Sequence, residues 1–322
     1  MSERSPGALV VSLDLDLAWG PPHADLQGSL DAIRRTLDLL EHREIHATWA
    51  CVGLAFARDC EDALSFAPRL RPTYRNHALS PYPSLERGEP DGAPARYFAP
   101  ELIKAIAARP HQEIASHSFS HYRCEEPGQT PAQFEADLAA AVAIAARSGI
   151  ELESLVLPGN PCNPDYLPIL ARHGITSHRG RQPGWAHARS GSTLLTTVRR
   201  GLRLANNYSL LLPDRTIPMQ RFVDGPHDPP INIPASRFLR PYDPRLRQLE
   251  TLRVHRMQSE MAYAAENAGV YHLWWRPQQF AVHTAENLVV LDDLLRQARA
   301  LAGEVGFRSM TMAELARSSS PW

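Results

Sequence analysis

Short apolar and β-branched runs alternate along the chain with longer stretches whose apolar residues recur at helical spacing. The short runs predict strands at Ala8–Leu17, His46–Val52, Glu113–Ser116, Ser154–Leu157, Ile175–Ser177, Val270–Trp275 and Phe307–Met310. The longer stretches predict helices at Ser29–His42, Ala99–Ala108, Pro131–Arg147, Tyr166–His173, Pro244–Asn267 and Glu286–Ala302, with Ser29 as an N-cap. This alternation favours an α/β fold with a parallel sheet, either doubly wound or closed as a barrel.

Two segments without clear periodicity, 71–100 and 206–244, are rich in proline and predict long loops of the kind that shape a binding site. No repeat or linker divides the chain, so we expect residues 1–322 to form a single domain with these loops as decoration. In parallel barrels, chemistry collects at the carboxyl ends of strands. Asp14, Asp16, His117 and Trp275 all fall at such ends.

Composition narrows the class of protein. The 322 residues are 43% hydrophobic and 21% charged with a net charge of −1, which is typical of a globular protein and does not favour nucleic acid or membrane surfaces. No run approaches the ~18 apolar residues that a membrane span needs. The four cysteines form no CxxC pair, and MSERSPG does not resemble a secretory leader. We therefore expect a cytoplasmic protein with free thiols; protein partners are left open.

The strongest local pattern is His117-Ser-Phe-Ser-His121. Two histidines four residues apart lie on one face of a helical turn, where both imidazoles can reach one ion. Capping or surface histidines are the alternative, because the chain has fourteen histidines. Cys124 and Cys162 lie near these patterns but have no partner at ligand spacing.

Asp14-Leu15-Asp16 ends the first predicted strand. Strand alternation puts the two carboxylates on the same face. A buried pair of like charges is costly unless a cation or a proton lies between them. The alternative, a helix cap or a solvated turn, fits poorly with the apolar Leu17-Ala18-Trp19 that follows.

Five ordered segments resemble the motifs of the polysaccharide deacetylase family, the NodB-homology domain of family 4 carbohydrate esterases. They are Ser12–Gly20, Ala47–Gly53, Glu113–His121, Leu157–Asn160 and His272–Pro277. The resemblance covers roughly residues 8 to 315. It implies a divergent member of the family with a distorted (β/α) barrel.

The resemblance also implies a metal-dependent amide hydrolase. Asp16, His117 and His121 would hold one divalent ion, most often zinc, and Asp14 would act as the general base. Asn160 would lie in the substrate loop, and Trp275 and Arg276 would contact the substrate. Trp274 and Trp275 alternate across the strand, so one of them is expected at the mouth of the site.

This sequence departs from the family pattern at two positions. Gly159 stands where the family has an arginine that orients the base, which leaves Arg179 or Arg181 as candidate partners of Asp14. Arg276 stands where the family has the histidine that protonates the leaving amine, and arginine cannot be a general acid. His272 is the candidate substitute, with a buried core role as the alternative; Arg276 would then grip a phosphate or carboxylate.

Three functions follow from this pattern. The first is deacetylation of an N-acetylated sugar or polysaccharide precursor. The second is hydrolysis of a non-sugar amide, for which Arg276 would anchor an acidic substrate. The third is a non-catalytic carbohydrate-binding protein, favoured by Gly159 and Arg276 but opposed by the retained acids and histidines, because an unused cluster of this kind is destabilising.

Overall fold

The structure is a computed structural model that describes residues 6–19, 25–88, 94–160, 164–181, 216–223 and 230–318. Its strands are β1 Ala8–Leu15, β2 Ala47–Cys51, β3 Gln112–Ser116, β4 Ser154–Leu155, β5 Ser177–His178, β6 Ile217–Pro218, β7 Ile231–Asn232, β8 Arg237–Phe238, β9 Gly269–Trp275 and β10 Arg308–Met310.

The helices comprise α1 Leu26–His42, α2 Cys60–Phe66, α3 Tyr82–Glu86, α4 Pro100–Ala107, α5 Pro131–Arg147, α6 Leu167–Arg172, α7 Gln220–Val223, α8 Glu250–Glu266, α9 Thr284–Val305 and α10 Met312–Ser318. Short 3-10 turns lie at Leu17–Trp19, Gly53–Phe56, His77–Leu79, Pro94–Arg96, Pro164–Tyr166, Pro244–Leu249 and Pro277–Ala281. Within the described part of the chain, no helix combines the length and hydrophobicity that crossing a bilayer requires.

The strands form one curled sheet, a distorted (β/α) barrel, as the family resemblance implies. Along the sheet the order is β6-β9-β1-β2-β3-β4-β5-β7, with β10 on β1 and β8 on β9. All pairs are parallel except β6 with β9. Asp14 pairs with Ala50 and Cys51 with Ser116, so the carboxyl ends of these strands meet at one edge of the barrel.

Strand β1 is buried along its whole length, and its alternation divides two layers of core. Leu9, Val11 and Leu13 pack into the large cluster that joins the sheet to the surrounding helices. Ala8 and Val10 point the other way, into a smaller cluster enclosed by the curled sheet. Because side chains alternate with period two, Ser12 and Asp14 continue the inner row. The barrel therefore presents its polar residues above an apolar floor.

Most predicted elements are found within a few residues of their expected ends. The N-cap of α1 is Asp25 rather than Ser29; the Asp25 carboxylate accepts hydrogen bonds from the backbone N–H groups of Gln27 and Gly28. The predicted helix at 244–267 divides into a 3-10 turn and α8. The 71–100 segment contains α3, and 206–244 contains α7 and three short strands; 89–93, 206–215 and 224–229 lie outside the described residues.

Gly53, after β2, allows the segment that follows β3 to approach closely. A Cβ at residue 53 would lie 2.8 Å from both Cα and Cδ2 of Phe119. The Gly53 backbone N–H also donates to the carbonyl of Ser118 over 2.8 Å. We predict that Gly53→Ala lowers the free energy of unfolding by about 1–3 kcal/mol, the usual cost of overpacking. Urea unfolding of the purified protein measures this difference.

Gly303→Ala is the matched control. A Cβ there meets no atom within 4 Å, and the residue lies in α9, so the change is expected to stabilise by about 0.5–1 kcal/mol. Equal effects of the two substitutions would contradict the packing assigned to Gly53.

Candidate functional site

Two carboxylates mark the carboxyl end of the central strand. Asp14 is the penultimate residue of β1, Asp16 follows the strand, and both are buried. Asp14 Oδ1 accepts a hydrogen bond of 2.6 Å from Nη2 of Arg179. Asp16 Oδ1 accepts one from Nε2 of Gln278, in the 3-10 turn after β9.

His117 and His121 reach the same place from a loop, not from the predicted helical turn. His117 follows β3 directly, and Ser118 and His121 adopt left-handed backbone angles of φ 63° and 58°. Asp137 of α5 holds the loop, because its carboxylate accepts hydrogen bonds from the backbone N–H groups of Phe119 (2.7 Å) and Ser120 (3.2 Å) and from the Ser120 hydroxyl. The predicted grouping of the histidines is correct, but the expected local geometry was wrong.

Asp16, His117 and His121 each offer a ligand atom, and these atoms lie within 4.8 Å of one another. His121 Nε2 is 3.5 Å from Asp16 Oδ2. Among the described residues, neither of these atoms has a hydrogen-bond partner, nor do the two ring nitrogens of His117. Buried polar atoms without partners are costly. A divalent cation between them would satisfy at least one atom of each residue.

The protonation states suit a cation. Burial lowers the pKa of His117 to about 4 and that of His121 well below its ordinary value, so both imidazoles are neutral and have a free lone pair at neutral pH. Burial raises the pKa of Asp16 to about 6, despite the opposing charge of Arg276, so its carboxylate is mostly ionised at pH 7. Neutral imidazoles with one carboxylate form a donor set that zinc accepts.

Arg179 is the structural partner of Asp14. It follows β5, is almost fully buried and directs every guanidinium nitrogen at an acceptor. Nη1 donates to Ser12 Oγ (2.8 Å), Nε and Nη2 donate to Asn160 Oδ1 (3.0 and 2.8 Å), and Nη2 also donates to Asp14. The group lies 4.2 Å from the centroid of the Trp274 ring. Burial alone would raise the pKa of Asp14, but the charges of Arg179 and Arg276 and the hydrogen bond from Arg179 help to hold it below its ordinary value.

Arg276 is held less tightly. Its Nη2 lies 3.3 Å from Asp16 Oδ2, and its Nε lies 3.9 Å from Asp14 Oδ2. The side chain keeps 26% of its surface exposed, whereas both acids are covered. The second arginine of the site therefore lies at its solvent side.

Comparison with known proteins shows which family this chain is similar to. Residues 23–178 match the family model described as polysaccharide deacetylase. Over that region the chain resembles the polysaccharide deacetylase family. A search of curated proteins finds no match.

Solved structures extend the likeness to the whole fold. A protein from Mycobacterium smegmatis assigned as a polysaccharide deacetylase is 14% identical, with 98% of this chain and 92% of that chain covered and a TM-score of 0.56. A protein from Pseudomonas aeruginosa PAO1 with the same assignment is 13% identical, with 97% of this chain and 89% of that chain covered and a TM-score of 0.53. A GH57-type branching enzyme from Pyrococcus horikoshii is 10% identical, with 98% of this chain and 71% of that chain covered and a TM-score of 0.52. At these identities the likeness concerns the fold alone.

The two departures from the polysaccharide deacetylase pattern have a structural context. Gly159 has a left-handed φ of 82°, which a glycine adopts without strain. The neighbouring Asn160 uses its side-chain oxygen to hold Arg179, a different task from the expected substrate contact. Of the two candidate partners for Asp14, Arg179 makes the contact, and Arg181 pairs with Glu125 instead.

Two expected site residues are placed away from the reaction centre. His272 is fully buried, and its ring bonds to Ser12 Oγ (2.8 Å) and to the carbonyl of Ile233 (3.2 Å), so neither nitrogen faces the acids. Burial lowers its pKa to about 3. Trp275 is also fully buried and stacks with Phe280 in the outer core. Trp274 takes the inner side of β9, because Ser12 is its register partner. The expectation that Trp275 would contact the substrate was therefore wrong, because the side chain is fully buried.

Sequence reasoning missed three residues of the site. Trp19 stacks on the His121 ring at 4.5 Å between centroids and meets Tyr97 edge-on at 5.6 Å. Gln278 binds Asp16, and Asp137 fixes the histidine loop. Trp19 lies within the first motif and could have been found there. Asp137 belongs to an amphipathic helix and carries no local signal.

A second group of possible ligands lies at the opposite end of the strands. His46 precedes β2, His111 precedes β3, and Glu314 belongs to α10. The two rings stack at 4.0 Å, and His46 Nδ1 lies 2.7 Å from Glu314 Oε2. The histidine–carboxylate contact ties α10 to the sheet. Cys124 is buried and forms no disulfide within the described residues, and Cys162 lies outside them.

We predict that the purified protein retains about one divalent ion per chain, and that His117→Ala and Asp16→Ala each abolish retention, because each variant removes one of the three ligands that the described residues provide. Elemental analysis after dialysis measures the ratio. His173→Ala, which changes a histidine outside the cluster, is the control and should retain the ion. Full occupancy in both ligand variants would remove this ligand assignment.

Proposed function

We propose that this protein is a metal-dependent amide hydrolase that removes an acetyl group from an N-acetylated sugar or polysaccharide precursor. The observation that carries the proposal is the convergence of partnerless ligand atoms from Asp16, His117 and His121 beside Asp14, a carboxylate held in its ionised form. The resemblance to the polysaccharide deacetylase family supports the choice of bond and of substrate class.

The metal would be held by Asp16, His117 and His121, with zinc the ion that best suits these donors. When bound, such an ion supplies Lewis-acid chemistry, polarising a carbonyl and increasing the acidity of water. The remaining chemistry falls to the protein. Arg179 occupies Asp14 Oδ1, which leaves Oδ2 as the atom that accepts a proton from the attacking water.

The leaving nitrogen must gain a proton for the C–N bond to break. Arg276 cannot supply one, and both nitrogens of His272 are engaged elsewhere. Among the described residues, Asp14 is the group placed to return the proton that it took from water. One carboxylate then serves first as base and afterwards as acid, and the balance is amide plus water to acetate plus amine.

Trp19 and Trp274 border the site with aromatic surface. Trp19 covers one face of His121, and Trp274 lies against Arg179 and Phe238, with ring centroids of Trp274 and Phe238 at 4.6 Å. Such rings exclude water from the acids and offer apolar faces of the kind that sugar rings contact.

A non-catalytic carbohydrate-binding protein is a second candidate. It is favoured by Arg276, which supplies a cation to Asp14 and Asp16 without any metal and removes the family's general acid. Hydrolysis of a non-sugar amide is the third candidate. Acetate release from N-acetylated sugars, measured beside ammonia release from cyclic amides, distinguishes the three.

We predict that Asp14→Asn abolishes acetate release while metal content is retained, because the amide cannot take up a proton from water. The expected loss is at least about 10²–10⁴ in kcat, the usual contribution of an acid–base group. Elemental analysis on the same preparation is the control. Turnover at the wild-type rate in Asp14→Asn would rule out Asp14 as the base.

We predict that Arg179→Lys lowers kcat by about tenfold or more and changes KM little. Arg179 is buried behind Asp14 and does not reach the solvent side of the site, so its loss misplaces the carboxylate without removing a substrate contact. Lysine keeps the charge but cannot donate to Ser12, Asn160 and Asp14 at once. Steady-state kinetics separates the two constants, and an equal rise in KM would contradict this positioning role.

A further inference from the structure

Arg276 combines charge, exposure and a lack of hydrogen bonds. Within the described part of the chain its guanidinium forms no hydrogen bond, and two ion-pair contacts at 3.3 and 3.9 Å hold it over the acids. The contrast with Arg179 is direct, since that residue gives all its donors to Ser12, Asn160 and Asp14. Arg276 therefore has donors left for a group that arrives from solvent.

The charges of the site balance before any ion is bound. Asp14 and Asp16 contribute two negative charges, Arg179 and Arg276 contribute two positive charges, and burial keeps His117 and His121 neutral. A divalent ion held by Asp16 would leave an excess of two positive charges in a buried space. An anionic ligand would offset this excess, whereas a neutral sugar would not.

A second arginine whose side chain has no hydrogen-bonded acceptor among the described residues is Arg123, near His121. Arg123 is half-buried and follows the histidine loop by two residues. Its side chain forms neither a hydrogen bond nor an ion pair with any described residue. Its backbone N–H donates to the Tyr74 hydroxyl, and its carbonyl accepts from the backbone N–H of Glu126. The positive charges of Arg123 and Arg276 both act on His121 and help to lower its pKa. Arg123 thus adds positive charge near His121 to that of Arg276.

We propose that the substrate of this site carries an oxyanion, a carboxylate or a phosphate, which Arg276 binds with support from Arg123. This inference rests on the proposed function and adds the substrate class. The oxyanion must be close to the amide that is cleaved, because Arg276 Nη2 is 3.3 Å from an oxygen of the predicted metal ligand Asp16. A substituent on the same sugar ring meets this condition. The planar guanidinium fork matches both anions with paired hydrogen bonds.

Binding measurements on zinc-loaded protein test the inference without depending on turnover. The probes are N-acetylglucosamine, which is neutral, N-acetylmuramic acid, which carries a carboxylate, and the 1- and 6-phosphates of N-acetylglucosamine. We expect at least one anionic probe to bind tenfold or more tightly than the neutral sugar by calorimetry, with a preference that shrinks as salt rises. The carboxylate and phosphate arms show which oxyanion is used. Inorganic phosphate alone shows whether the sugar is needed.

Arg276→Gln should bring the affinities for anionic and neutral probes within about twofold of each other, and Arg276→Lys should retain part of the preference. Arg308→Gln is the matched control, because Arg308 is exposed on β10 and pairs with Ala8 at the opposite end of β1. It should keep the wild-type preference. Thermal unfolding and zinc content verify that each variant is folded; should Arg276→Gln not fold, the wild-type preference, its salt dependence and Arg276→Lys decide.

Equal affinity of wild-type protein for neutral and anionic probes would overturn the inference, as would a preference that persists in folded Arg276→Gln. The outcomes separate this inference from the proposed function. Anion-selective binding without acetate release would leave Arg276 as the anion site and reject the hydrolase. Acetate release from neutral and anionic sugars at equal kcat/KM would support the hydrolase and reject Arg276 as the anion site.

Discussion

Asp14 and Asp16 bring two carboxylates into the buried carboxyl end of the central strand, and the desolvation of both has to be offset by cations or by donors. The structure treats the two acids differently. Asp14 receives a buried guanidinium at 2.6 Å, which keeps it ionised. Asp16 receives Gln278 and a looser contact from Arg276, and its second oxygen faces two neutral imidazoles. This inequality separates a carboxylate suited to accept protons from one suited to bind a metal.

The backbone around the acids holds the two histidines that face Asp16. The loop that carries His117 and His121 is neither helix nor strand, and a carboxylate from α5, a close approach at Gly53 and two left-handed residues keep its shape. The inner residues at the start of β1, Ala8 and Val10, are apolar and offer no side-chain hydrogen-bond partner to the ligand atoms. Burying those atoms without partners among the described residues has a cost that a bound cation would relieve.

Period-two alternation was enough to predict that Asp14 and Asp16 share a face. Strand–helix alternation predicted a parallel sheet, and the resemblance to the family was needed to choose the barrel over a doubly wound sheet. The ordered motifs predicted which histidines join them. The same alternation did not predict which of Trp274 and Trp275 turns inward, because that depends on the register of β9 with β1. The loop geometry at His117 depends on Asp137, and the role of Gln278 depends on a turn that folds back over β1. Such contacts arise only when distant segments pack.

Arg179 directly follows strand β5, whereas the family pattern has its arginine in the substrate loop. The charge that holds Asp14 is thus independent of the sequence between β4 and α6, except for Asn160, and insertions there need not disturb it. The position of Arg179 depends instead on β5, a strand of only two residues. If β5 slipped by one position against β4, His178 would turn toward Asp14 and Arg179 would turn outward. Such a slip would remove the hydrogen bond and the positive charge that Arg179 gives to Asp14, although no residue beside the two acids would have changed.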